Sequence, residues 1–346
     1  MVTRPPRPGP FAIACALRVA VATGARYISR TVAFARYAWG VLACNLAVML
    51  WGAFVRATGS GAGCGARWPD CNGEIIPRPE NVETATAIEL THRITSGLAL
   101  LLVVVLYAWA RRKFVRGHPA RRAAGASLAL ILVEAAIGAG IVLLKLVGDD
   151  ASAARAVWSA LHLVNTFLLI GALALSAWWG AENRAPARLD PRGGTGWLVG
   201  IGALALLLTG TTGAITALGD TLFPARSLAE GLAQDLSATA HFLVRLRVIH
   251  PVIATLSFVY LLMASGMLAM QRPDPRVRRG AFMLVATMVA QIGVGLVDVA
   301  LLAPVGIQLV HLLLADMVWI ALVLLGASAL AAPRAREIKT PLPARA

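Results

Sequence analysis

The sequence predicts an all-α membrane protein whose eight transmembrane helices form two pseudo-symmetric four-helix bundles. Three observations lead there. The 346-residue chain is 58% apolar and only 14% charged, too apolar for an ordinary soluble globule. Eight stretches approach the ~20 mostly apolar residues that cross a bilayer as a helix, about twice what a tilted barrel strand requires. They run over 36–56, 84–110, 123–146, 155–179, 196–218, 246–270, 280–302 and 304–330. Finally, the charges alternate from loop to loop.

That alternation explains the net charge of +15 without nucleic acid. Arg4, Arg7, Arg18, Arg26, Arg30 and Arg36 precede or open span one, and Arg111, Arg112, Lys113, Arg116, Arg121 and Arg122 lie between spans two and three. Arg272, Arg276, Arg278 and Arg279 separate spans six and seven, and Arg334, Arg336, Lys339 and Arg345 fall in the tail. Acids gather in the intervening loops: Asp70, Glu74, Glu80, Glu83, Asp149, Asp150, Asp220, Glu230 and Asp235. Basic loops stay on the cytoplasmic side, so both termini are expected there, and the positive charge serves topology and contact with membrane lipid.

The expected parts are a basic cytoplasmic arm (1–35), an N-terminal four-helix half (36–180), a C-terminal four-helix half (196–331) and a cytoplasmic tail (332–346). The arm is Arg-rich and acid-free, which also describes a mitochondrial transit peptide. It merges into span one without a secretory-type cleavage site, and the whole chain is rich in Ala, Arg and Gly. A bacterial plasma membrane is therefore expected ahead of the mitochondrial inner membrane.

Cys15 in the arm and Cys44 in span one are expected as free thiols. Cys64 and Cys71 share the first outer loop, GSGAGCGARWPDCNGE, in an oxidising compartment. Six intervening residues that include glycine allow a disulfide. It could be a structural clamp or a redox-active pair, since short surface bridges are easily reached. Trp68 and Pro69 could close this loop over a pocket.

The halves repeat each other. Span three carries IGAGIV and span seven IGVGLV; span four carries WSALHLVNTFLLIGALAL and span eight GIQLVHLLLADMVWIALVLL. THRITSGLALLLVVV in span two pairs with IHPVIATLSFVYLLM in span six, and VRATGSGAG after span one with LLTGTTGAI in span five. Four spans per half imply parallel repeats about an axis normal to the membrane.

Of the six histidines, His92, His162, His250 and His311 occupy matching places in the even-numbered spans. Each lies a few residues after the outer end of its span, roughly 8–12 Å deep at the rise of an α-helix. Intramembrane ionisable groups are costly and usually have a partner or a task. Two imidazoles per half at one depth suit bis-histidine ligation of heme inside a helical bundle. Zinc would more often recruit cysteine or carboxylate, and a proton relay would spread histidines across depths. His118 reads as a solvated loop residue and His241 as a surface residue. Glu134, Lys145, Gln291, Asp298 and Asp316 read as helix-to-helix contacts or proton carriers, with packing the default for Glu134 and Gln291. The Gly-x-Gly motifs would admit a close helix or a porphyrin face.

FVRATGSGAGCGARWPDCNG, then IELTHRITSG, RLRVIHP and QLVHLLLAD resemble the heme A synthase family across all eight spans. The resemblance implies oxidation of the C8 methyl of heme O to a formyl group, giving heme A for terminal oxidases. It implies His250 and His311 on the iron of a resident heme b, and His92 and His162 as axial ligands of the substrate heme O. It implies a heme O synthase as supplier and an electron acceptor of unidentified class, and it leaves room for a homo-oligomer.

Glu89, three residues before His92, shares its helix face, whereas Arg247 holds the corresponding place before His250. A carboxylate at one site only could take up a proton or stabilise positive charge developing at the methyl carbon. The other reading of Glu89 is an interfacial carboxylate paired with Arg93 or Arg56. With Glu89, the one-sided Cys64–Cys71 loop completes the candidate catalytic group. Arg56, Arg93, Arg245 and Arg247 are candidates for heme propionates or for lipid phosphate. The rival reading is a non-catalytic diheme cytochrome or heme carrier, which would need neither Glu89 nor the cysteine loop.

Overall fold

The computed structural model describes residues 10–75 (the first 22 by backbone alone), 82–181, 189 and 193–331. The side chain of Cys15, the Arg residues of the arm up to Arg30, Glu80 and the basic tail lie outside the described residues. The described chain is helical, in the order α1 Pro10–Ala57, α2 Thr84–Lys113, α3 Pro119–Leu143, α4 Ala153–Gly180, α5 Gly194–Leu222, α6 Leu228–Leu236, α7 Phe242–Arg245, α8 Ile249–Gln271, α9 Pro275–Ala300 and α10 Val305–Ala329. Among the described residues eight helical segments are long and apolar enough to span a bilayer, with α7 and α8 counted as one. This is an all-α, multi-pass membrane architecture.

Helix ends follow local chemistry. Pro119 and Pro275 open α3 and α9, where their fixed φ suits the first turn and no N–H is needed. Asp274 caps α9 by accepting from Arg276 N at 2.7 Å, so the helix starts before the apolar run expected from 280. Ser152 caps α4, and Ser227 caps α6 while Glu230 accepts from Arg226 N. His118 is a cap and not merely a solvated residue. Its Nδ1 accepts from Ala120 N at 3.2 Å, its ring stacks on Phe114, and partial burial lowers its pKa. The short amphipathic α6 carries no long apolar run, and hydropathy did not predict it.

Inside the spans, hydroxyls bond back to carbonyls one turn earlier: Ser96 to His92, Ser127 to Ala123, Ser176 to Ala172, Thr287 to Met283. A bilayer offers no water for such groups, so they are satisfied within the helix. The outward faces are apolar, as at Leu98, Leu101 and Val105 on α2 or Leu256, Val259 and Met263 on α8.

The chain divides into two compact units, 1–185 with 217–224, and 186–216 with 225–346. In the first, α4 is buried along most of its length, through Ala156, Ala160, Phe167, Ile170, Leu173, Ala174 and Ala177. In the second, Val277, Ala281, Leu284 and Met288 of α9 meet Val318, Leu322, Leu325 and Ala329 of α10, joined by Leu261 and Leu268 of α8. Steps of four and three give each helix one continuous seam. Lipid tails are as apolar as these side chains, so dispersion contacts and close fit hold the seam together.

Candidate functional site

Each of the four intramembrane histidines lies against a glycine of the preceding membrane span. A Cβ on Gly52 of α1 would stand 2.8 Å from His92 Cε1. On Gly213 of α5 it would be 3.0 Å from His250 Cε1, and on Gly295 of α9 2.8 Å from His311 Cε1. Gly138 of α3 is looser, its Cβ position 3.9 Å from His162 Cε1. Three of these positions have no room for a methyl group while the ring stays in place. The glycines let imidazole rings lie directly on a neighbouring backbone. Of the two glycines in each Gly-x-Gly motif, Gly138 and Gly295 back the histidines, while Gly140 receives the ring of Trp158.

In the second unit, His250 and His311 face one another with ring centroids 6.4 Å apart and planes at 86°. Two imidazoles on opposite sides of one metal atom, bound at about 2 Å each, have centroids about 6 Å apart, so the pair fits a bis-imidazole centre. Thr212 Oγ1 lies 3.2 Å from His250 Nδ1, and Gln291 Nε2 lies 3.2 Å from His311 Nε2. Each ring thus has one nitrogen engaged and one left for a ligand; that of His311, Nδ1, is buried with no hydrogen-bond partner.

In the first unit, His92 Nδ1 is buried with no hydrogen-bond partner. His162 Nδ1 lies 3.3 Å from Glu134 Oε1, at ion-pair distance but without hydrogen-bond alignment. Glu134 in turn accepts from Asn165 Nδ2 at 2.5 Å and from the Thr166 hydroxyl. Packing was the sequence default for Glu134 and Gln291, yet both stand at histidine nitrogens. One signal could have found them: each lies four residues before the glycine that backs its histidine. Among the described residues no group of three or more His, Cys, Asp or Glu could hold a metal ion.

Glu89 is buried and fully engaged. Its Oε1 accepts from Arg93 Nε at 3.1 Å and Nη2 at 2.5 Å, and its Oε2 accepts from Cys64 N at 2.8 Å. Arg93 Nη1 also donates to the carbonyls of Arg67 and Asp70, so one carboxylate–guanidinium pair ties the loop to α2. Cys64 and Cys71 form a disulfide and are both completely buried, and Cys44 is a free thiol. Gly63 passes so close to α2 that a Cβ there would lie 2.5 Å from the Ala85 carbonyl carbon. Gly65 and Gly73, with φ of +67° and +92°, make turns that other residues rarely adopt.

The candidate arginines differ in commitment. Arg56 Nη1 donates to Ala217 O and Thr221 Oγ1. Arg247 is buried with its Nη1 3.6 Å from Asp235 Oδ1, while Arg245 is exposed. Burial raises the pKa of Asp235, and Arg247 partly offsets this. His241 caps α7 by accepting from Leu243 N, consistent with its expected peripheral place.

The family described as cytochrome oxidase assembly protein matches residues 35–323, which include every one of these histidines. The chain belongs to that family. A Thermus thermophilus protein named protoheme IX farnesyltransferase is 51% identical over 296 residues, 86% of this chain and 48% of its own length. Heme A synthases of Alkalihalophilus pseudofirmus and Bacillus mycoides are 43% and 44% identical over 97 and 99 residues, 28% of this chain and 32% and 30% of theirs. The chain therefore spans about half the Thermus relative and about a third of each heme A synthase. Within that family, the chain brings four glycine-backed histidines and a disulfide loop anchored on a buried carboxylate.

Proposed function

We propose that this chain is a heme A synthase, an oxidoreductase that converts the C8 methyl of heme O to a formyl group. The observation that carries the reading is the set of four glycine-backed histidines, with His250 and His311 spaced as a bis-imidazole centre requires. The heme A synthase relatives and the family support it.

In this reading His250 and His311 hold a resident heme b, and His92 and His162 hold the heme being oxidised. When bound, heme would supply an iron and a conjugated ring able to pass electrons from the substrate carbon to a separate electron acceptor. Glu89 sits one helical turn from His92, where a carboxylate takes up a proton or stabilises positive charge developing at the methyl. Arg93 and Cys64 N fix the carboxylate in place, so loop and carboxylate act as one part. The complete burial of Cys64 and Cys71 supports a clamp, because labile bridges are usually exposed. Exposed Arg245 is the cation best placed for a propionate; Arg56, Arg93 and Arg247 already serve protein acceptors and would have to exchange them.

The multi-pass chain lies in a bacterial plasma membrane with both termini cytoplasmic, by the distribution of Arg and Lys. The name of the Thermus relative supports a heme O synthase as the partner that supplies substrate. The test is to co-express the chain with a heme O supply, extract non-covalent heme in acidic acetone and chromatograph it. Heme A or its hydroxylated precursor is expected, and Glu89→Ala is expected to lower its yield at least ~100-fold while heme stays bound. Recovery of heme B alone sinks the assignment and leaves a diheme cytochrome.

A further inference from the structure

We propose that Glu134 is a tuning residue for His162: its carboxylate, held at ion-pair distance from Nδ1, biases an iron on that imidazole toward the ferric state. The inference rests on the reading that His92 and His162 hold a heme.

The geometry is local to α3 and α4. Glu134 lies four residues before Gly138, the glycine that backs His162, and its Oε1 stands 3.3 Å from His162 Nδ1. Two donors one turn further along α4 hold the carboxylate: Asn165 at i+3 and Thr166 at i+4 from His162. Asn165 Nδ2 also donates to Leu130 O at 2.9 Å, and the single Thr166 hydroxyl proton is shared between Glu134 Oε1 and His162 O, the latter at 2.9 Å. Asn165 and Thr166 thus hold the Glu134 carboxylate in place 3.3 Å from one imidazole nitrogen.

The second unit supplies the contrast. Gln291 lies four residues before Gly295, which backs His311, and its amide nitrogen is 3.2 Å from a ring nitrogen. The i+3 and i+4 positions from His311 are Leu314 and Ala315, whose side chains offer no donor. A carboxylate at 291 would lack the support that Glu134 has, and the residue there is a neutral amide.

An anionic acceptor on the far nitrogen of a metal-bound imidazole makes the ring a stronger electron donor. Ferric iron carries one more positive charge than ferrous, so a nearby fixed negative charge favours it, most strongly away from water. Hydrogen bonding behind the axial ligand is among the main controls on heme potential. Glu134 therefore marks the first unit as the site whose iron gives up an electron more readily, independently of Glu89.

The test is a potentiometric titration of the full-length protein with its bound hemes, followed by visible absorption and electron paramagnetic resonance. In the wild type, the heme lost on His162→Ala is expected to be the lower-potential one; finding it the higher overturns the proposal. Glu134→Gln is expected to shift the ferric-to-ferrous ratio of that heme about tenfold toward ferrous at a fixed potential, ~59 mV for a one-electron couple. The other heme is expected not to move. Glu134→Asp keeps the charge and should recover most of the wild-type ratio. An unchanged ratio in Glu134→Gln, or an Asp variant displaced as far as Gln, refutes the tuning role alone. If His92→Ala and His162→Ala leave heme content and spectra unchanged, the two-site reading itself fails and takes this inference with it.

Discussion

His162 and His311 occupy the same place in their spans, each lies on a glycine of the preceding helix, and each has a polar side chain four residues before that glycine. At His162 that side chain is a carboxylate held by Asn165 and Thr166; at His311 it is an amide beside Leu314 and Ala315. The first unit adds the buried carboxylate Glu89 and a disulfide loop fastened to it, whereas the buried carboxylate of the second, Asp316, lies one residue beyond Ala315. Similar ligands have thus been given different electrostatic surroundings. On the proposed reading, charge near the histidines, more than the histidines themselves, would separate a heme to be oxidised from one that rests.

The sharpest way to break this comparison is to remove ligands one unit at a time. His92→Ala is expected to halve the heme content and abolish heme A formation. His311→Ala should also halve the content, but the heme lost should be the higher-potential one, read by pyridine hemochrome assay and redox titration. Loss of both hemes from either folded variant would end the two-site picture.

The glycine cradles offer a finer contrast. Gly295→Ala drives a methyl to 2.8 Å of the His311 ring, whereas Gly138→Ala meets His162 only at 3.9 Å. Overpacking of this kind typically costs about 1–3 kcal/mol, so Gly295→Ala should lose heme on dilution and Gly138→Ala should retain it. Equal retention by the two would show that the rings move freely.

Cys64→Ser with Cys71→Ser removes a clamp around a short loop present in one unit only. Loop closure of this length is worth about 2–3 kcal/mol, so the thermal midpoint in detergent should fall while heme content holds. Unchanged stability with lost turnover would instead favour a redox role for the pair.

The smallest effect concerns Asp235, against Arg247 in the second unit. Its folded-state pKa is raised by burial, so the folded state binds the proton more tightly than the unfolded state. The stabilisation is fully present below the ordinary carboxylate value and is lost as pH rises through the raised one. Asp235→Asn should flatten a melting-temperature profile over that acidic window and leave it unchanged near neutrality. A profile identical to the wild type would show that the ion pair outweighs the burial.

Much of this was legible in the residues. Eight apolar runs appear as eight spans because bilayer thickness fixes helix length and the bilayer tolerates few charges. The Cys64–Cys71 pairing was within reach of loop length, and the four histidines stood out by depth. Element ends were less legible. The start of α9 at Pro275 is set by the Asp274 cap, in a polar segment that hydropathy passes over. The partners of Glu89 were half-legible: Arg93, four residues on along the same helix, was one of the named alternatives, but Cys64 N was not.

The sequence by itself determined the solvent and the number of spans, because these depend on composition and on the length of apolar runs along one chain. Only the tertiary structure decided that Glu134 faces His162, that Gln291 faces His311 and that Glu89 is spent on Arg93 and Cys64. Those contacts depend on how each helix is rotated about its axis and how close its neighbour comes. Gly52, Gly213 and Gly295 set that approach by what they lack, and a missing side chain shows its purpose only when a ring lies against it.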